Sequence, residues 1–132
     1  MKEACKYTGN DLYDYCCGYV LASKQINEDT PTQENEKIIT ALLERFNAGA
    51  YDADRAAYIQ NIIFEIQREV LSLKNENPSK FYIRKESAQG YSSYGDVDIE
   101  AMADHFKNRY SDISRSIIER WITYSVYIWY LR

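Results

Sequence analysis

From Leu12 to Leu131 the apolar side chains recur at spacings of three and four, the period of a helix that buries one face. That regularity restricts the fold more than any other feature of the chain. Only 5 Gly and 2 Pro occur among 132 residues, so the positive-φ and fixed-φ turns that a many-stranded β fold needs are scarce. The expectation is an all-α fold, a compact bundle of four to five helices forming a single domain over residues 1–132. A short irregular or β-hairpin-like excursion is expected near residues 78–95.

Cap residues place the helices. Thr8 can cap a first helix running to about Gln25, with Leu12, Tyr15, Cys16, Tyr19, Ala22 and Ile26 on its apolar face and Gly18 inside it. Asn27 to Asp29 form a polar break. Thr30-Pro31-Thr32-Gln33 then gives a start signal, with Thr30 as N-cap and Pro31 in the first turn, where no amide is needed. Ile38, Ile39, Leu42, Leu43 and Phe46 supply the stripe, and Gly49 suits the left-handed residue that ends such a helix. Asp52 can cap a third helix carrying Tyr58, Ile59, Ile62, Ile63, Ile66, Val70 and Leu73, which should stop before Pro78. Asp96 or Asp98 can cap a fourth, with Ile99, Met102, Ala103, Phe106 and Tyr110 on one side. The last helix, starting at Ser111 or Asp112, carries two apolar sets: Ile113, Ile117, Trp121, Tyr124, Ile128 and Leu131, and Ile118, Ile122, Val126 and Trp129. Two apolar faces imply a central helix or one shared with a partner.

The charge balance narrows the function classes. Sixteen Lys and Arg stand against 20 Asp and Glu, a net charge of -4, which argues against direct binding to a nucleic-acid backbone or an anionic membrane. No apolar run reaches the roughly 18 to 20 residues of a membrane span, and Met1 to Tyr7 lack the apolar stretch of a signal peptide, so a cytoplasmic location is expected. Cys5, Cys16 and Cys17 are odd in number, and adjacent Cys16 and Cys17 point about 100° apart on a helix, so buried thiols are expected rather than a metal clamp.

Catalytic constellations are sparse. The one histidine, His105, follows Asp104, but helical neighbours splay apart, and no Gly-x-Ser-x-Gly elbow supplies a nucleophile. No Cys-x-x-Cys or His-Glu-x-x-His spacing points to zinc. Asp96, Asp98 and Glu100 alternate like the start of a calcium loop, yet no glycine and terminal glutamate follow in register, so helix capping explains them better. No phosphate-cradling glycine loop occurs. The sequence therefore reads as a non-enzymatic chain with no cofactor and no metal.

Aromatic content is the outstanding deviation: 13 Tyr, 4 Phe and 2 Trp. Tyrosine combines a rigid contact surface with a polar tip and is favoured at interfaces. In the final segment Tyr127, Trp129 and Tyr130 are the candidate partner-binding residues. The leading expectation is a protein-binding module, such as a small inhibitor, an immunity protein or a phage or virion accessory protein. Its acidic, tyrosine-rich surface would cover a basic, nucleic-acid-handling partner, with Glu34, Glu36, Asp52 and Asp54 complementing that charge. A homo-oligomer through the C-terminal helix would use the same aromatics. The alternative is a nucleotide or signalling-ligand binder, in which Lys80, Tyr82, Arg84, Lys85, Tyr91 and Tyr94 combine cations with flat rings for phosphate contact and base stacking.

Overall fold

The computed structural model describes Tyr7, residues 9–74, residues 80–83 and residues 94–131. The all-α class is present as expected. Five α-helices occur among the described residues: α1 Gly9–Ala22, α2 Gln33–Arg45, α3 Ala53–Leu71, α4 Ile99–Arg109 and α5 Arg115–Val126. A 3₁₀ turn, Ser72–Lys74, follows α3, another, Tyr94–Asp96, precedes α4, and α5 runs on into a π-helical stretch, Tyr127–Leu131. The chain divides into two compact units, Met1–Phe64 and Glu65–Arg132, and the division falls within α3.

In the first unit α1 packs against α2. The sequence suggested one buried face for α1, but every residue from Tyr13 to Ala22 except Tyr19 is buried, so α1 is a core helix. Its expected cap, Thr8, lies outside the described residues. The helix ends at Ala22 rather than near Gln25, because the Ser23 and Lys24 amides donate to the carbonyls of Val20 and Leu21 at 3.3 and 3.1 Å and tighten the last turn.

Helix α2 starts two residues later than Thr30-Pro31 implied. Thr32 is the N-cap: its hydroxyl accepts from Asn35 N–H at 3.1 Å and its carbonyl from Glu36 N–H at 2.9 Å. Thr32 offers the same hydroxyl as Thr30, with its backbone extended at φ -67°, ψ 162°, and the helix then begins after the proline. At the other end the left-handed residue is Asn47, at φ 51°, rather than Gly49. Ala48 N–H reaches Leu43 C=O at 2.8 Å and Asn47 N–H reaches Glu44 C=O at 3.2 Å, the paired bonds of a Schellman motif, closed by buried Ala48 and Leu43. Gly49 is also left-handed, at φ 96°, just beyond that motif.

Asp52 caps α3 as its position implied, its carboxylate accepting from Arg55 N–H at 3.1 Å. Ile59, Ile62 and Ile63 are fully buried in the first unit, and Ile66, Val70 and Leu73 are buried in the second. Each such side chain contributes about 1.5–3 kcal/mol through loss of apolar surface to water.

In the second unit α4 packs against α5. Asp98 caps α4, accepting from Ala101 N–H at 3.0 Å. Ahead of it, Tyr82 and Val97 form an isolated antiparallel bridge. Two bonds hold the bridge, Ile83 N–H to Asp96 C=O at 2.7 Å and Asp98 N–H to Phe81 C=O at 2.8 Å. This is the described part of the expected excursion; residues 84–93, where a hairpin would turn, lie outside the described residues. Helix α5 begins at Arg115 with Ser114 as its N-cap residue, later than Ser111 or Asp112. The reason is the Lys107 ammonium, which donates to the carbonyls of Ser111 and Ile113 and holds residues 111–113 as a turn. Both apolar sets of α5 are largely buried, including Ile117, Ile118, Trp121, Ile122 and Val126. On the same helix, Trp121 Nε1 and Ser125 Oγ are buried without a hydrogen-bond partner among the described residues.

Candidate functional site

Charge is unevenly divided along the chain. Residues Met1–Phe64 contain ten acidic and six basic side chains, whereas Glu65–Arg132 contain ten of each, so the whole net charge of -4 belongs to the first unit. Eight carboxylates of that unit are exposed, and among the described residues none of the eight forms an ion pair. Glu34 and Glu36 stand exposed in the first turn of α2, and Asp54 in the first turn of α3, where the positive helix end stabilises each negative charge. Tyr51 lies within electrostatic reach of both Glu36 and Asp52. Its hydroxyl is pushed above the ordinary tyrosine value, by burial first and then by the nearby Glu36 and Asp52 carboxylates.

The one deeply buried carboxylate among the described residues of the unit, Asp14, is instead compensated. Arg55 forks onto it, Nε to Oδ1 at 3.0 Å and Nη2 to Oδ2 at 2.7 Å, and the guanidinium also lies 5.3 Å from the centre of the Tyr58 ring. Beside it Tyr13 donates its hydroxyl to Asp52 C=O and accepts from Asp52 N–H, both at 3.0 Å. Burial pushes the Tyr13 hydroxyl up to about 12, a rise that the backbone hydrogen bond at Asp52 partly offsets. These contacts attach the start of α3 to α1 and thereby fix where Asp52 and Asp54 emerge. Cys16 and Cys17 are free and fully buried. Burial raises both thiols, Cys16 to about 11, so neither is a thiolate at neutral pH; Cys5 lies outside the described residues.

The second unit pairs its charges internally. Arg115 contacts Glu100, Asp104 and Glu119 at 2.8, 3.0 and 3.1 Å. Arg109 binds Glu65 at 2.8 Å, and the Tyr110 hydroxyl donates to the same carboxylate. A cleft of about 400 Å³ is lined by Glu65, Arg68, Glu69, Ser72, His105, Phe106 and Arg109. His105 sits between rings, 5.6 Å from Phe81 and 5.0 Å from Phe106. Asp104 is turned to Arg115 and not to His105, as the helical splay implied, and Ser72 donates its hydroxyl to Glu69 C=O. Among the described residues no group of three or more His, Cys, Asp or Glu side chains could hold a metal ion.

The candidate aromatics are distributed unequally. Tyr127 is 48% exposed and Trp129 half-buried, whereas Tyr130 is only 4% exposed and donates its hydroxyl to buried Asp96 at 2.7 Å. Tyr130 is thus a core residue in this chain, a correction to its expected place on an exposed face. Its position four residues after Val126, in the four-residue series Ile118, Ile122, Val126, is the signal that could have found it. Asp96 is correspondingly this buried acceptor rather than a helix cap. Of the alternative ligand-binding set, Lys80 is exposed with its ammonium 5.2 Å from the centre of the Phe81 ring, Tyr82 is half-buried in the bridge, and Tyr94 is 40% exposed. Arg84, Lys85 and Tyr91 lie outside the described residues.

No helix among the described residues is long and apolar enough to cross a membrane. No protein-family model, curated protein or solved structure matches the chain.

Proposed function

We propose that this chain is a non-enzymatic protein-binding module whose first unit presents its acidic surface to a basic partner. One contrast carries the reading. The second unit neutralises four of its carboxylates in ion pairs, while the eight exposed carboxylates of the first unit keep their charge unpaired among the described residues. Unpaired like charge opposes the compact state through self-repulsion, and a complementary positive surface turns that repulsion into faster association and selectivity. A nucleic-acid-handling protein is the partner class that carries such a surface, and an inhibitor, immunity or accessory role follows from covering it. Exposed Tyr127 offers a flat contact of the kind interfaces favour.

The test is affinity capture with the wild-type chain and with Glu34→Lys/Glu36→Lys/Asp54→Lys, after far-UV circular dichroism has shown equal helix content. A partner held by the wild type should be lost from the variant and should elute between about 0.1 and 0.5 M salt, where the screening length falls below roughly 10 Å. Capture of the same proteins by both forms, or retention in high salt, would refute the reading. A clean dimer mass by sizing, with no foreign chain, would replace it with self-association.

A further inference from the structure

Helix α5 does not finish as an α-helix. Its continuation, Tyr127–Leu131, is wound as a π-helix, a form that closes i→i+5 bonds, is rare, and where it occurs often marks a functional site. We propose that this end is a two-register device: the π register shuts Tyr130 inside, and a regular α register turns the same ring outward beside Tyr127. Every residue involved lies in the second unit, apart from the acidic surface proposed above.

Helical geometry sets the two positions. At 3.6 residues per turn each fourth residue falls about 40° beyond the last, so Ile118, Ile122 and Val126 already drift across the buried face, where all three are fully enclosed. One more α-helical step would carry Tyr130 past Val126 and off that face. The wider π turn rotates each residue less and takes back the last step. That winding leaves Tyr130 only 4% exposed, while Tyr127 is 48% exposed. In an α-helix two residues three apart stand about 60° from each other, so the α register would set Tyr130 on the open side with Tyr127. Two neighbouring rings there form the kind of contact that interfaces favour.

The π register is held from outside the helix. The Tyr130 hydroxyl donates to the Asp96 carboxylate at 2.7 Å, and Asp96 is fixed in turn by its carbonyl, which accepts from Ile83 N–H at 2.7 Å ahead of α4. Against this latch stands a defect just before the junction. Trp121 Nε1 and Ser125 Oγ are enclosed without a hydrogen-bond partner among the described residues, and an arrangement that leaves buried polar groups unmet gives up free energy that a rearrangement can recover. Two arrangements separated by such a balance leave the minor one at about 0.1–10% of the population. A partner that grips both rings would select the α register, and its affinity for the free chain would be reduced by that same fraction.

The experiment is fluorine-19 relaxation dispersion on the full chain with 3-fluorotyrosine in place of Tyr130, joined to carbon-13 saturation transfer at residues 127–131. A minor state should appear, with the fluorine shift of an exposed ring and helical carbon shifts. Asp96→Asn, which keeps the shape of the acceptor and weakens the latch, should raise its population several-fold. Deleting Ile128 puts Tyr130 three residues after Val126, where an α-helix itself faces the core, and should abolish the exchange. The wild-type spectrum and the deletion decide the matter even where Asp96→Asn fails to fold. Random-coil carbon shifts in the minor state would show fraying in place of a change of register and would overturn the proposal. So would the absence of any minor state above about 0.1%, or exchange that persists unchanged after the deletion.

Discussion

Replacing Arg55 should be among the most damaging single changes in the first unit, because it removes the counter-charge of a carboxylate that is itself 2% exposed. Breaking a buried pair from one side typically costs about 3–5 kcal/mol, since the remaining charge stays out of water. Arg55 is 27% exposed, so solvent screens its outer edge and the lower figure of about 3 kcal/mol applies. Arg55→Met is the better perturbation than alanine, because it keeps an alkyl stem beside Tyr58 and changes chiefly the charge. With a urea slope of about 1–3 kcal/mol/M, the midpoint by circular dichroism should fall by roughly 1–3 M. Adding Asp14→Asn should recover part of that loss, since a neutral amide is easier to bury than a carboxylate that has lost this guanidinium, giving a coupling of about 1.5 kcal/mol or more in the double-mutant cycle. A loss below about 1 kcal/mol for Arg55→Met, the range of an exposed pair, would refute the reasoning. So would strict additivity of the two changes.

Two further outcomes test the tyrosines. The Tyr13 hydroxyl is raised from 10.0 in the unfolded chain to about 12 in the fold, so its contribution is intact below pH 10 and is lost as pH climbs through that window. Alkaline unfolding curves should therefore be shallower between pH 10 and 12 in Tyr13→Phe than in the wild type, and identical slopes would contradict this placement. Tyr130→Phe should lower stability by about 1–3 kcal/mol in chemical denaturation, because it leaves the buried Asp96 carboxylate without that donor, whereas Tyr127→Phe should be neutral. Equal stability of both variants would return Tyr130 to the surface.

The local part of the fold was legible. Asp52 and Asp98 sit as caps where their positions before apolar runs placed them, and the stripe from Ile59 to Leu73 is buried as its spacing implied. Boundaries moved where two residues could do the same work: Thr32 capped in place of Thr30, and Asn47 took the left-handed turn in place of Gly49. What periodicity could not supply was pairing at a distance. Asp14 and Arg55 are 41 residues apart, and Asp96 and Tyr130 are 34 apart, so nothing in either neighbourhood announces its partner. The same holds for the candidate site. Glu34, Glu36, Asp52 and Asp54 are exposed, as expected from their polar surroundings. The cleft lined by Glu65, His105 and Arg109 depends on residues about forty positions apart, and only the folded chain brings them together.

Trp121 and Ser125 give α5 a different significance from its dense burial. Two polar atoms one turn apart, both enclosed and both unpartnered among the described residues, make this helix a point of local conflict inside an otherwise consistent fold. Natural chains usually retain such conflict only where removing it would impair something other than folding. Deleting the hydroxyl with Ser125→Ala would relieve the conflict and improve helix propensity together. α5 is therefore an element in which substitution for a sturdier fold has room to act, starting at Ser125.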